Sequence, residues 1–172
     1  MQSGEVFTSA DLGLLLVQTF FPEKTNRESA IILDYLHAHG AEFDRFAFSV
    51  RVGEGTPVDP THDPGIQKTT KYSSQKRIDM LLWQGPQPWL FEIKYRLVPA
   101  ALGQLHAYAL LWQRDNPNAR RPKLVAIGRS CDLDTRYALD AHGVDIYIYP
   151  EAVSGAGAAD SAVPSVDAPA ET

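Results

Sequence analysis

Three residues of this 172-residue chain, Asp79, Glu92 and Lys94, have the types and spacing to do chemistry together. A turn at Gly85-Pro86 folds the surrounding stretch into a hairpin. In that hairpin, residues whose numbers sum to 171 stand opposite one another, so Asp79 faces Glu92. Directly opposed Cβ atoms lie about 4.5–5.5 Å apart, where like charges repel. Two facing carboxylates therefore call for a cation, a shared proton or a splayed register. Carboxylate oxygens suit the hard cations Mg2+ and Mn2+. The competing reading is a solvated sheet face on which Arg77, Lys94 and Arg96 offset the acids.

The strands that position these groups alternate. One hairpin face carries Ile78, Met80, Leu82, Trp89, Phe91, Ile93 and Tyr95, and is expected to be core. The other carries Arg77, Asp79, Leu81, Trp83, Leu90, Glu92, Lys94 and Arg96. A helix follows over residues 99–114, with Leu102, Leu105, Ala109 and Trp112 as its core stripe. Gln104 and Tyr108, four residues apart, share a neighbouring helix face that can lean over the polar face of the hairpin. Taken alone, they read as a surface amide and a core-edge tyrosine with its hydroxyl in water.

The remaining punctuation gives the frame. Thr8 or Ser9 caps a helical stretch through Gln18, and Pro22 interrupts it. Asn26 caps a second helix to His39, which Gly40 stops. Residues 43–52 alternate as a strand, and residues 53–70 read as a long loop. Residues 123–128 form a short strand, and Asp132 opens a helix to Ala141 that His142-Gly143 ends. Residues 144–149 close the order α-β-β-β-α-β-α-β. A meander followed by helical crossovers predicts an α/β fold, a mixed β-sheet flanked by helices.

The run Arg77-Ile78-Asp79, then Glu92-Ile93-Lys94, then Gly103-Gln104-Leu105-His106-Ala107-Tyr108 resembles the PD-(D/E)xK nuclease superfamily. More narrowly, it is similar to the Q-x-x-x-Y subset that includes RecB-type and NucS-type nuclease domains. The resemblance spans Asn26 to Tyr149 and implies a restriction-endonuclease-like core; Ile78 departs from it, standing where the family name has proline. It implies that Asp79 and Glu92 bind Mg2+ or Mn2+, with the backbone carbonyl of Ile93 as a further ligand. Lys94 would stand beside the attacking water or the scissile phosphate. Glu28 would be the first-helix acid that approaches the metal in many members; its plain reading is an acid favoured by the helix dipole. Gln104 and Tyr108 would orient the site or the nucleic-acid backbone.

The rest of the sequence bounds this expectation. Lys68, Lys71, Lys76 and Arg77 form the best basic cluster and lead from the long loop into the site strand, where a phosphate backbone could be gripped. The five histidines show no zinc spacing, and Cys131 is alone, so no disulfide framework exists. Residues 151–172, rich in Ala, Ser and Pro, read as a disordered acidic tail behind a single domain over 1–150. The tail holds four of the 21 acidic residues and none of the 16 basic ones, leaving the body near neutral. A near-neutral body is not a generic polyanion binder, so a protein partner or a homodimer is expected alongside DNA. No apolar run is long enough to span a bilayer, and a cytoplasmic location is expected. The expected activity is metal-dependent hydrolysis of DNA phosphodiester bonds, with RNA left open. The alternatives are a catalytically silent nuclease-like subunit and a sequence-specific restriction-type endonuclease.

Overall fold

The computed structural model describes residues 1–151, so the expected tail lies outside the described residues except for Glu151. Six strands form one sheet in sequence order: β1 (Val6–Thr8), β2 (Arg45–Val52), β3 (Lys76–Gln84), β4 (Gln87–Leu97), β5 (Lys123–Cys131) and β6 (Val144–Ile148). β1 to β4 run antiparallel as a meander; β4, β5 and β6 are parallel. The parallel part needs crossovers, supplied by α4 (Ala100–Asp115) and α5 (Leu133–Ala141). The expected α/β class with a mixed sheet is what the chain adopts.

Helices cover both sheet faces. On one side α1 (Leu12–Leu16) and α2 (Asn26–His39) bury Leu15, Ile31, Ile32, Tyr35 and Leu36 against Phe46, Phe48, Met80, Leu82, Phe91 and Ile93. Tyr35 stacks edge-on against Phe91 and Tyr147. On the other side Leu105, Ala109 and Trp112 of α4, with Leu139 of α5, cover Leu81, Leu90, Ala126 and Val144. The expected stripe of α4 is therefore its core face, with Leu102 packed at the margin.

Several local expectations are corrected. The hairpin's second face is not a solvated surface: Leu81 and Leu90 lie under α4. Ile78 is buried in the α4-side core rather than beside Met80, and Tyr95 is 37% exposed rather than core. The cause is a reversal in the sheet. Ser49 has φ 54°, and the β2–β3 pairing runs Phe48 to Met80 and Val50 to Ile78 with no pair between. Beyond that point the residues of both strands change sides, so Phe48 and Val50 serve opposite cores.

The first helical stretch is shorter than expected, a 3-10 turn over Ser9–Asp11 followed by α1, and the edge strand β1 precedes it. Thr25, not Asn26, caps α2, in a reciprocal capping box with Glu28. Part of the expected loop is a helix, α3 (Pro64–Ser74), capped by Asp63 with Pro64 in its first turn. No residue of α3 is buried, so it carries no apolar period from which a helix could be read.

Candidate functional site

The β3–β4 hairpin keeps the expected register from Gln84–Gln87 to Met80–Phe91 and then stops pairing. The next positions are Asp79 and Glu92. In place of a ladder bond, the Ile93 amide donates to Asp79 Oδ2 at 2.9 Å. The splay opens one end of the sheet between the start of α2 and the first turns of α4. A polar cavity of about 240 Å³ lies there. Asp79, Glu92 and Lys94 line it from the strands, Glu28 from α2, and Gln104 and Tyr108 from α4.

The two acids are both buried but differently served. Asp79 accepts from Ile93 and from Lys24, whose side chain is only 2% exposed. Glu92 is 1% exposed, and neither of its oxygens has an aligned hydrogen-bond donor. Lys94 Nζ lies 2.7 Å from Glu92 Oε1 as an ion pair outside hydrogen-bond alignment. Burial, and then the neighbouring Asp79 charge, push the Glu92 carboxyl up to about 7. Burial works against the Lys94 ammonium, yet its contact with Glu92 and the charges of Asp79 and Glu28 lift it above its ordinary value.

Around this pair the other residues fall into place by element. Glu28 Oε2 accepts from the Thr25 amide and hydroxyl, so Glu28 caps α2 while lining the cavity. Burial opposes its ionisation, but the Thr25 hydrogen bonds and the Lys24 and Lys94 charges hold its carboxyl below the usual range. Gln104 Nε2 donates to the Tyr108 hydroxyl at 3.2 Å, one turn along α4. Gly128 pairs with Lys94 in β5, where a Cβ would stand 2.6 Å from the Lys94 carbonyl. Any larger residue there would push β5 off the strand that carries Lys94.

The basic cluster divides. Lys76 and Arg77 line the cavity, whereas Lys68 and Lys71 lie on α3 beside residues 54–58 and do not reach it. His106 faces Arg121 and His142 on the far side of α4, away from the site. Cys131 is a free thiol that burial, and then the Asp132 charge, push up.

No family model matches the chain, and no curated protein or solved structure matches it. The site must therefore be read from its own geometry.

Sequence reasoning missed Lys24 and the clamp behind it. Glu23 holds a left-handed φ of 55° and accepts from the Ser3 hydroxyl, Arg51 and Arg77. Burial opposes its charge, but these partners hold the Glu23 carboxyl down to about 2. The segment is thereby pinned between the N-terminus and β2–β3, and the next residue, Lys24, is aimed at Asp79. A usable signal was present: Thr25-x-x-Glu28 is a capping-box pattern, which sets the helix start at Thr25 and puts Lys24 immediately before it.

Among the described residues, no three His, Cys, Asp or Glu side chains converge as a ready-made ligand set. What the site offers is Asp79 beside a buried Glu92 whose Oε1 meets only the Lys94 ammonium and whose Oε2 has no hydrogen-bond partner. That half-served carboxylate suits a hard cation, because Mg2+ keeps several waters and takes only one or two protein carboxylates.

Proposed function

We propose that this protein is a metal-dependent nuclease with a PD-(D/E)xK-type core, hydrolysing phosphodiester bonds of DNA. The observation that carries the reading is the buried Glu92 carboxyl, its Oε2 without a partner, beside Asp79 in a cavity that also gathers Lys94, Gln104 and Tyr108. A structural acid in a sheet interior would be expected to have its oxygens satisfied.

Asp79 and Glu92 would hold Mg2+ or Mn2+. When bound, such an ion activates water as a nucleophile and takes up charge on the phosphate. The chain's own groups do the rest. Lys94, one-third exposed, points its ammonium from Glu92 toward the cavity and can stabilise negative charge developing on the phosphate. The Tyr108 hydroxyl accepts from Gln104 and so has its own proton free to donate to a phosphate oxygen. Lys76, exposed at the cavity margin, offers a backbone phosphate a point charge. Arg77 is committed to Glu23 and supports the site instead of gripping the substrate.

One observation favours a second reading. Each buried acid already faces a lysine, Lys24 or Lys94, as in a self-neutralised ionic network. In that case the protein would be a catalytically silent subunit. Incubation of linear, circular, single-stranded and branched DNA with Mg2+ or Mn2+ separates the two. The nuclease reading expects cleavage by the parent, none by Asp79→Ala, and none by Lys94→Ala even though that variant still binds metal. Intact DNA in every lane favours the silent subunit.

A further inference from the structure

Each oxygen of Asp79 already holds one donor. Oδ2 takes the Ile93 amide, a backbone group fixed within β4, and Oδ1 takes the Lys24 ammonium. Of these partners only Lys24 can move, because it sits at the end of a four-carbon side chain. A dication coordinated by Asp79 would also stand within a few ångströms of the ammonium, in a buried site where like charges are poorly screened. Lys24 has somewhere to go. Glu28 lines the same cavity, and the Lys24 charge already acts on its carboxyl.

We infer that Lys24 is an internal competitor for the metal site: it neutralises Asp79 until a divalent cation arrives, then swings toward Glu28 and the cavity mouth. This rests on the metal-binding reading above and adds to it a residue that sets metal affinity. The clamp on Glu23 supports it. The left-handed, ion-paired turn fixes the backbone from which the Lys24 side chain reaches Asp79, so only the side chain has to move. The cavity mouth is also where a nucleic-acid phosphate would sit, so the released ammonium would meet the substrate.

Mn2+ titration by calorimetry without nucleic acid, on the parent, Lys24→Met and Lys24→Gln, tests the competition. Both variants should bind Mn2+ at least about tenfold more tightly than the parent, since Asp79 no longer carries its own cation. Reductive methylation of the parent, read by mass spectrometry, tests the movement without any substitution. Lys24 should react slowly alone and at least about tenfold faster at saturating Mn2+, because its side chain leaves a buried position. Binding only by the variants would mean that the lysine never yields its place, and overturns the exchange. A parent that binds Mn2+ with variants no tighter, or with Lys24 still protected, overturns the inference and leaves the metal site standing. No Mn2+ binding by any of the three overturns both. If the variants do not fold, the methylation result on the parent decides.

Discussion

From Met80 to Trp83, β3 pairs residue for residue with Pro88–Phe91, and the side chains along it are Met, Leu, Leu and Trp facing Phe, Leu, Trp and Pro. One residue further from the turn the same two strands part, and Asp79, Glu92 and Lys94 occupy the gap. At the turn end Met80, Leu81, Leu82, Leu90 and Phe91 are buried, and at the open end Asp79 and Glu92 are. The turn end is held by apolar packing on two sides, which needs no partner of a particular charge. The open end is held by ion pairs whose desolvation offsets most of their attraction. A chain that needed only stability would extend the apolar pattern through positions 79 and 92. The interruption marks where stability has been given up for a charged cavity, and substitutions at the two ends should therefore behave differently.

Phe91→Ala at the turn end removes a fully buried ring that Tyr35 and Phe43 pack against. It should cost about 3–5 kcal/mol in chemical denaturation. Asp79→Asn at the open end keeps the shape but strips buried Lys24 of its counter-ion. Two facing acids read from sequence suggest that neutralising one relieves repulsion. With Lys24 in place the sign reverses, and without added metal the variant should lose on the order of 3 kcal/mol. An unchanged or raised melting temperature would show that the Lys24 pair contributes nothing.

Glu92→Gln should do the opposite. The folded-state value of Glu92 is raised to about 7, so the native state binds the extra proton. Stability from this group is full below its ordinary value of 4.5 and falls as pH rises through about 7. Glu92→Gln removes that decline. Without metal it should melt higher than the parent at pH 8, by on the order of 2 kcal/mol, and match it at pH 4.5. A parent whose stability does not fall between those pH values would contradict the placing of Glu92. Tyr108→Phe is the smallest change, a single hydrogen bond at the cavity rim worth about 0.5–1.5 kcal/mol. Its expected effect on DNA cleavage is larger than its effect on the melting temperature.

The contrast also explains what could be read from sequence. The turn at Gly85-Pro86 and a period of two fix the hairpin register, so the nearness of Asp79 and Glu92 was legible, although the ladder ends one pair short of them. So was the α4 stripe, with Gln104 and Tyr108 beside it. Lys24 was not, because it stands 55 positions from Asp79 in a stretch without periodicity. Its role depends on a left-handed Glu23 and ion pairs to Arg51 and Arg77. The sheet reversal at Ser49 was equally hidden, since a lone left-handed serine leaves no mark in the pattern. It moved Ile78 to the other core. Helix α3 announced itself only through Asp63-Pro64, because a helix with no buried residue has no apolar stripe to detect.

The most direct measurement is anomalous diffraction from crystals of the parent equilibrated with Mn2+. The account predicts a peak coordinated by carboxylate oxygens of both Asp79 and Glu92, with Lys94 retained in the cavity. A saturated crystal with no peak between these two residues, or a peak elsewhere on the chain, would contradict it.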